Sequence, residues 1–115
     1  FFHVPHGLSN AMLLPSVTEF SIPFAAERYA QCAVALGVAT ENDEIDKANQ
    51  QLIQFLNDLN QELNVPTLAE FGVDKADFDH AVETMVEQAF ASGSPNNNPR
   101  IPTREEMLKL YHDLW

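Results

Sequence analysis

His6-Gly7-Leu8-Ser9-Asn10-Ala11-Met12-Leu13-Leu14-Pro15 is the stretch on which the reading of this chain turns. It follows Val4-Pro5, and a proline at that point is pre-set for the start of a helix. Gly7 removes a side chain beside the imidazole, so another backbone or a ligand can come close. At helical spacing His6, Asn10, Leu13 and Val17 share one face. That face is otherwise apolar, so the ring is expected to point inward, toward whatever the helix packs on. A lone histidine on such a face is most often a core residue with a hydrogen-bond partner, less often a ligand or a catalyst. Pro15 falls inside the pattern and is expected to break or kink a helix that runs to about Phe20.

Outward from this stretch the chain reads as further helices. Ser21-Ile22-Pro23 is a short connection, and Pro23 suits the first turn of a second helix. Tyr29, Cys32, Ala33 and Leu36 form its stripe, and Gly37 is a good stop. Cys32 is expected in the core on this stripe, since a reactive thiol needs a positive neighbourhood that the sequence does not show. Thr40-Glu41-Asn42-Asp43-Glu44 is an acidic helix entry, favourable at the positive end of a helix dipole. The longest helix follows, with Ile45, Ala48, Leu52, Leu56, Leu59 and Leu63 at three- and four-residue spacing. Its Gln, Asn, Asp and Lys residues are expected on a solvated face, and it should end near Asn64, before Pro66.

Thr67 and Glu70 have capping-box spacing and head a single turn closed by Gly72. Asp74 is the expected N-cap of a helix whose stripe is Phe78, Ala81, Val82, Met85, Val86 and Ala89. His80 falls off that stripe and is expected to be exposed. Ser92 to Ile101 has the composition of a surface linker. Thr103 and Glu106 form a second capping box, and Met107, Leu108, Tyr111 and Leu114 or Trp115 give the last helix its buried side. No alternating apolar run is long enough for a sheet. The expected fold is all-α: a bundle of about five helices plus a one-turn piece, in a single domain over residues 1–115.

Composition narrows the function. A formal charge of −11 with only six Lys and Arg argues against nucleic acid, because phosphate binding depends on basic side chains. No apolar run approaches the ~20 residues of a membrane span. The single Cys32 cannot form an internal disulfide, which points to a reducing, cytoplasmic compartment. The chain opens on Phe1-Phe2 without Met, and the expectation is a polypeptide that extends upstream.

The site residues are few. His3 and His6 have His-x-x-His spacing, but Pro5 pushes residue 4 into extended backbone, so the two rings need not share a face. His80 and His112 have no local partner at metal-ligand spacing. There is no His-Glu-x-x-His element, no serine elbow and no glycine-rich phosphate loop; Gly7, Gly37, Gly72 and Gly93 all stand apart.

Val4 to Pro15, Val-Pro-His-Gly-Leu-Ser-Asn-Ala-Met-Leu-Leu-Pro, resembles the signature of the iron-containing (group III) alcohol dehydrogenases. Arg28-Tyr29-Ala30 with Gly37 resembles that family's next helix. Asn98-Pro99-Arg100, then Thr103-Arg104-Glu105-Glu106-Met107 and Leu110-Tyr111, resembles its C-terminal loop and last helix. The resemblance implies the C-terminal part of the metal-binding α domain of a dehydroquinate synthase-like fold. It implies a metal held by an aspartate and three histidines, of which His6 is the last; the others precede Phe1 in the family pattern, as does the nucleotide domain. It implies iron(II), with zinc or manganese also accepted by such donors, acting as a Lewis acid on the oxygen of a small alcohol or aldehyde. Hydride passes to or from NAD or NADP. Asn10 is then a candidate for helix packing or site support, and the Ser92–Ile101 loop returns toward the pocket and shapes access. A homodimer or larger homo-oligomer is implied as well, and the segment by itself is expected to be inactive. Two further readings stay open: a glycerol dehydrogenase-like relative, and an autonomous acidic helical module that takes a partner helix in an apolar groove.

Overall fold

The computed structural model describes residues 4–115. A helix, α1 (His6–Ser21), begins directly after Pro5, whose φ of −55° and ψ of 141° place it just outside the helix. It passes through Pro15 without a break, contrary to the expected interruption, and Pro15 is buried. The reason lies on another helix. Proline has no N–H, so the carbonyl four residues back, that of Ala11, loses its partner. Asn60 supplies a replacement: its Nδ2 donates to Ala11 O at 2.8 Å.

Asn60 stands near the end of α3 (Ile45–Glu62), the longest helix. Before it, a 3-10 turn (Ile22–Phe24) holds Pro23, and α2 (Ala26–Ala35) starts three residues later than that proline. Pro23 therefore opens the turn and not the helix. Gly37, at φ 79°, ends α2 in a Schellman motif: its N–H bonds Val34 O, and the Val38 N–H bonds Ala33 O. Asn64, at φ 58°, does the same for α3, with Val65 N–H on Asn60 O at 2.8 Å. Asn60 thus uses its carbonyl to close its own helix and its side chain to mend another.

Packing falls into two clusters. Ala33 of α2 meets Ala48, Leu52 and Leu56 of α3, with Tyr29, Ala30 and Phe55 against them. Cys32 and Leu36 do not join this core as expected; Cys32 is exposed and Leu36 is 53% exposed. The apolar stripe of a ten-residue helix is narrow, and here Tyr29, Ala30 and Ala33 fill the width that faces α3. The expected solvated face of α3 is also only partly so. Asn49 is buried and donates to Ala26 O at 3.1 Å, tying α3 to the start of α2.

The second cluster joins α4 (Leu68–Phe71), α5 (Lys75–Ala91) and α6 (Arg104–His112). Both capping boxes form as the spacing predicts, with the Thr67 and Thr103 side chains accepting from Glu70 and Glu106 N–H. Asp74 caps α5 through Ala76 and Asp77 N–H. Leu68, Phe78 and Val82 are its buried centre, with Met12, Leu108, Tyr111, Leu114 and Trp115 packed around them. Trp115 lies 5.6 Å from Phe78, ring to ring, and Leu68 N–H bonds Leu114 O at 3.2 Å. Met12 of α1 reaches this cluster while Ala11 is held by α3, so α1 is the element shared by both halves. The all-α reading, five helices and a one-turn piece, describes this architecture. Among the described residues there is no strand, and no helix is long and apolar enough to cross a membrane.

The segment between α5 and α6 is not a free linker. It forms a 3-10 turn (Ser94–Asn97) after Gly93 and then folds back onto α1. Arg100 donates to Phe20 O at 3.0 Å, one of the carbonyls left open at the end of α1, and its guanidinium stacks 4.0 Å over the Phe20 ring. Asn98 Nδ2 donates to Ser21 Oγ at 2.8 Å and to Arg100 O at 2.6 Å. The other arm of Arg100 pairs with Glu106 at 2.6 Å, the same carboxylate that caps α6. One carboxylate therefore links the start of α6 to the end of α1.

Two outcomes follow from these ties. Asn60→Ala should lower unfolding stability by ~1–2 kcal/mol in denaturant titration, since it leaves a half-buried carbonyl without its donor. In a Pro15→Ala background, where the helix regains its own N–H, most of that loss should vanish, a coupling of about 1 kcal/mol. Glu106 is held ionised below the ordinary glutamate range, chiefly by the Thr103 N–H and further by Arg100. The unfolded chain therefore takes up this proton first, so the contribution is present above that range and fades as pH falls through the folded value. The stability gap between the native chain and Glu106→Gln should hold steady near neutrality and shrink below about pH 4.

Candidate functional site

His6 is the first residue of α1, and its ring is exposed. The expected inward orientation does not occur within this chain. The face it belongs to is real: two and three turns on, Leu13 and Val17 are half-buried and line an apolar cavity of ≈ 310 Å³. The N-terminal end of that face is uncovered, although Val4, two residues before His6, packs on the cluster of Leu68, Phe78 and Val82. Asn10 is exposed too, and it does not pack. Its side-chain Nδ2 lies 3.2 Å from His6 Nε2. Gly7 has open space beside it; a Cβ there would meet nothing within 4 Å. None of the described residues uses the close approach that Gly7 permits.

The cavity is lined by α1, the end of α5, the returning loop and α6. Pro95, Asn98 and Pro102 come from the loop, and Met107 and Tyr111 from α6. The loop is therefore part of a cavity wall, which its composition does not reveal. Burial raises the Tyr111 phenol above its usual range, so it stays protonated at neutral pH. Of the residues that fix this wall, Ser21 has no sequence signal of its own. Asn98-Pro99-Arg100 is visible as a motif, but its target carbonyl on α1 is not.

The donor set for a metal is short. Among the described residues, no three His, Cys, Asp or Glu side chains gather in a way that could hold one. His80 is exposed on α5, and His112 on α6 sits edge-on to Phe78 at 5.7 Å. His3 lies outside the described residues. His6 fits the part of one ligand, with an accessible ring nitrogen on a rigid element. A single imidazole does not make a site, and other donors have to come from outside these residues.

The comparisons agree on one family. The model of the Fe-containing alcohol dehydrogenase family, C-terminal, matches residues 1–115. NADPH-dependent butanol dehydrogenase of Clostridium saccharobutylicum is 33% identical over 115 residues, covering 99% of this chain and 29% of that protein. Lactaldehyde reductase of Escherichia coli (strain K12) is 31% identical, covering 100% of this chain and 29% of that protein. Alcohol dehydrogenase of Thermococcus barophilus is 38% identical over 109 residues, 93% of this chain and 26% of that protein. The crystal structure of 1,3-propanediol oxidoreductase superposes with a TM-score of 0.86 at 26% identity, over 100% of this chain and 29% of that one. The chain thus spans about three tenths of the length of the relatives it matches. A match that runs the full chain, headed by Pro5-His6-Gly7 at the start of an intact helix, places this protein in the Fe-containing alcohol dehydrogenase family, as its C-terminal helical part.

Proposed function

We propose that these residues form the C-terminal helical part of a metal-dependent, NAD(P)-linked alcohol dehydrogenase that interconverts a primary or secondary alcohol and its aldehyde or ketone. The observation that carries this is the family match over every residue of the chain, beginning at the motif that sets His6 at the head of α1. The relatives' names, butanol dehydrogenase and lactaldehyde reductase among them, support the reaction class. His6 serves as one ligand of a divalent metal, iron(II) by family. When bound, such a metal would supply Lewis-acid polarisation of a substrate oxygen, and a nicotinamide held mainly by the rest of the polypeptide would supply the hydride chemistry.

Within this division of labour the present residues hold and shape. Helix α1 presents the imidazole from a rigid element rather than a loop, which keeps its direction fixed. The Asn98–Arg100 clamp seats the returning loop against α1 and closes an apolar cavity on the His6 face. Gly7 leaves room for the segment or ligand that completes the site. Phe24 at 65% and Ile101 at 59% exposure, neighbouring the same clamp, give an apolar surface for the rest of the protein to cover. The working form is a homodimer or larger homo-oligomer in the cytoplasm.

The test is a metal analysis and an alcohol-oxidation assay with NAD and NADP on the full polypeptide. His6→Ala should lose metal and cut kcat/KM by about 100-fold or more, beyond what loss of an outer-shell partner costs. Unchanged metal content in that variant would overturn the assignment. Iron(II) added to the 115 residues alone should give no turnover. Gly7→Ala should stabilise the isolated helix by ~0.5–1 kcal/mol, because the glycine is helical and uncrowded here, yet lower metal occupancy in the full polypeptide.

A further inference from the structure

Helix α2 carries an apolar stripe wider than the contact it makes. Tyr29, Cys32, Ala33 and Leu36 have the spacing of one buried side. With Ala33 as the centre, Tyr29 and Leu36 stand about 40° and about 60° round the helix and Cys32 about 100°, all in one direction. Ala33 is fully buried against α3, and Tyr29 packs beside it. Leu36 is 53% exposed, and Cys32 is exposed as well. The stripe is therefore covered along one edge and bare along the other. Arg28 stands one turn before Cys32, on the bare edge, and it is exposed. It shares a surface hollow with Phe24 and Pro99. Among the described residues, each of the other five Lys and Arg side chains lies within ion-pair distance of a carboxylate, and Arg28 does not.

We infer that this bare edge of α2 is an interface inside the full polypeptide, covered by a segment upstream of these residues that lays apolar side chains on Cys32 and Leu36 and a carboxylate against Arg28. The inference rests on the reading of the chain as the C-terminal part of a longer enzyme, and adds which surface the rest of it covers. On that reading there is ample chain to do so. These residues cover 29% of each of two relatives, which leaves about seven tenths of their length outside the match, and the matching family model is that of a C-terminal region. The edge itself sets the chemistry of what covers it. Apolar side chains left in water at buried spacing gain from apolar contact. A guanidinium takes a carboxylate through two parallel N–H bonds, which fixes the register of the occupant as well as its charge. The stripe carries no carboxylate of its own, so a two-fold contact of this edge with a second copy would leave Arg28 unanswered.

The test is the rate at which iodoacetamide alkylates Cys32 in the full polypeptide, read by mass spectrometry of the peptide that contains it. The expected rate is about 100-fold or more below that of the same polypeptide unfolded in urea at the same pH, because a covered thiol reacts only when the contact opens. Arg28→Glu should raise the rate about five- to tenfold by setting like charges together, and Arg28→Lys should raise it less. Arg28 is exposed in the first turn of α2, where an acid is favourable, so the variant leaves that helix intact. A benzophenone amino acid placed at position 36 and irradiated identifies the cover. It should cross-link to an upstream peptide of the same polypeptide and leave the monomer band on a denaturing gel; a dimer band names a second copy and overturns the inference. A native Cys32 as reactive as in urea, or an unchanged rate in Arg28→Glu, overturns it too. An expressed product of only these 115 residues removes the longer-enzyme reading and the inference with it. A longer product with an open Cys32 removes the inference alone.

Discussion

A single amide holds the two halves of this protein around one helix. Pro15 deprives Ala11 of its helical donor, and Asn60 restores it from α3 at 2.8 Å. A carbonyl left open in a packed helix costs free energy unless something donates to it. The proline therefore fixes more than backbone angles: it demands a donor at one place on one side of α1. Asn60 answers from the last turn of α3, where Asn64 in left-handed backbone closes the helix behind it. With α3 pinned there, the opposite surface of α1 is free to send Met12 into the cluster of Leu68, Phe78 and Val82.

The far end of α1 is governed by the same logic. Its last carbonyls have no partner in the helix, and Arg100 and Asn98 come back across the chain to satisfy that end. Arg100 can do this because its flat guanidinium bonds in two directions and stacks on Phe20 at once. Glu106 receives one of those arms and caps α6 with its other oxygen. The loop is thereby held as a wall, and the cavity between α1 and α6 exists because that wall stands. His6 lies at the opposite end, beyond this packing, with Asn10 against its ring. The protein thus has a braced base at Ser21 and an open end at His6.

Most of the helices were legible because their signals are local. Thr67 with Glu70, Thr103 with Glu106, Asp74 before α5 and Gly37 after α2 act within a turn of themselves, so sequence spacing and structure coincide. The errors came where neighbours decide. Cys32 has the spacing of a buried residue and is exposed, since Tyr29, Ala30 and Ala33 already fill the contact with α3. Asn49 has the look of a solvated residue and is buried on the Ala26 carbonyl. His6 has an apolar face below it, but none of the described residues covers its ring.

By itself the sequence determined the helical character, where most of the helices start or stop, and that Pro5-His6-Gly7 heads the first of them. These are consequences of φ restrictions, caps and periodicity, which need no partner. It also made the orphan carbonyl at Ala11 inevitable once Pro15 stood inside a helix. Only the tertiary structure decided that Asn60 would answer it, that Arg100 would reach the Phe20 carbonyl 80 residues away in sequence, and that a loop rich in Ser, Pro and Asn would wall a cavity. Several asparagines and arginines along the chain could have made those bonds. Which of them does so depends on how the helices cross, and no spacing along the chain encodes that.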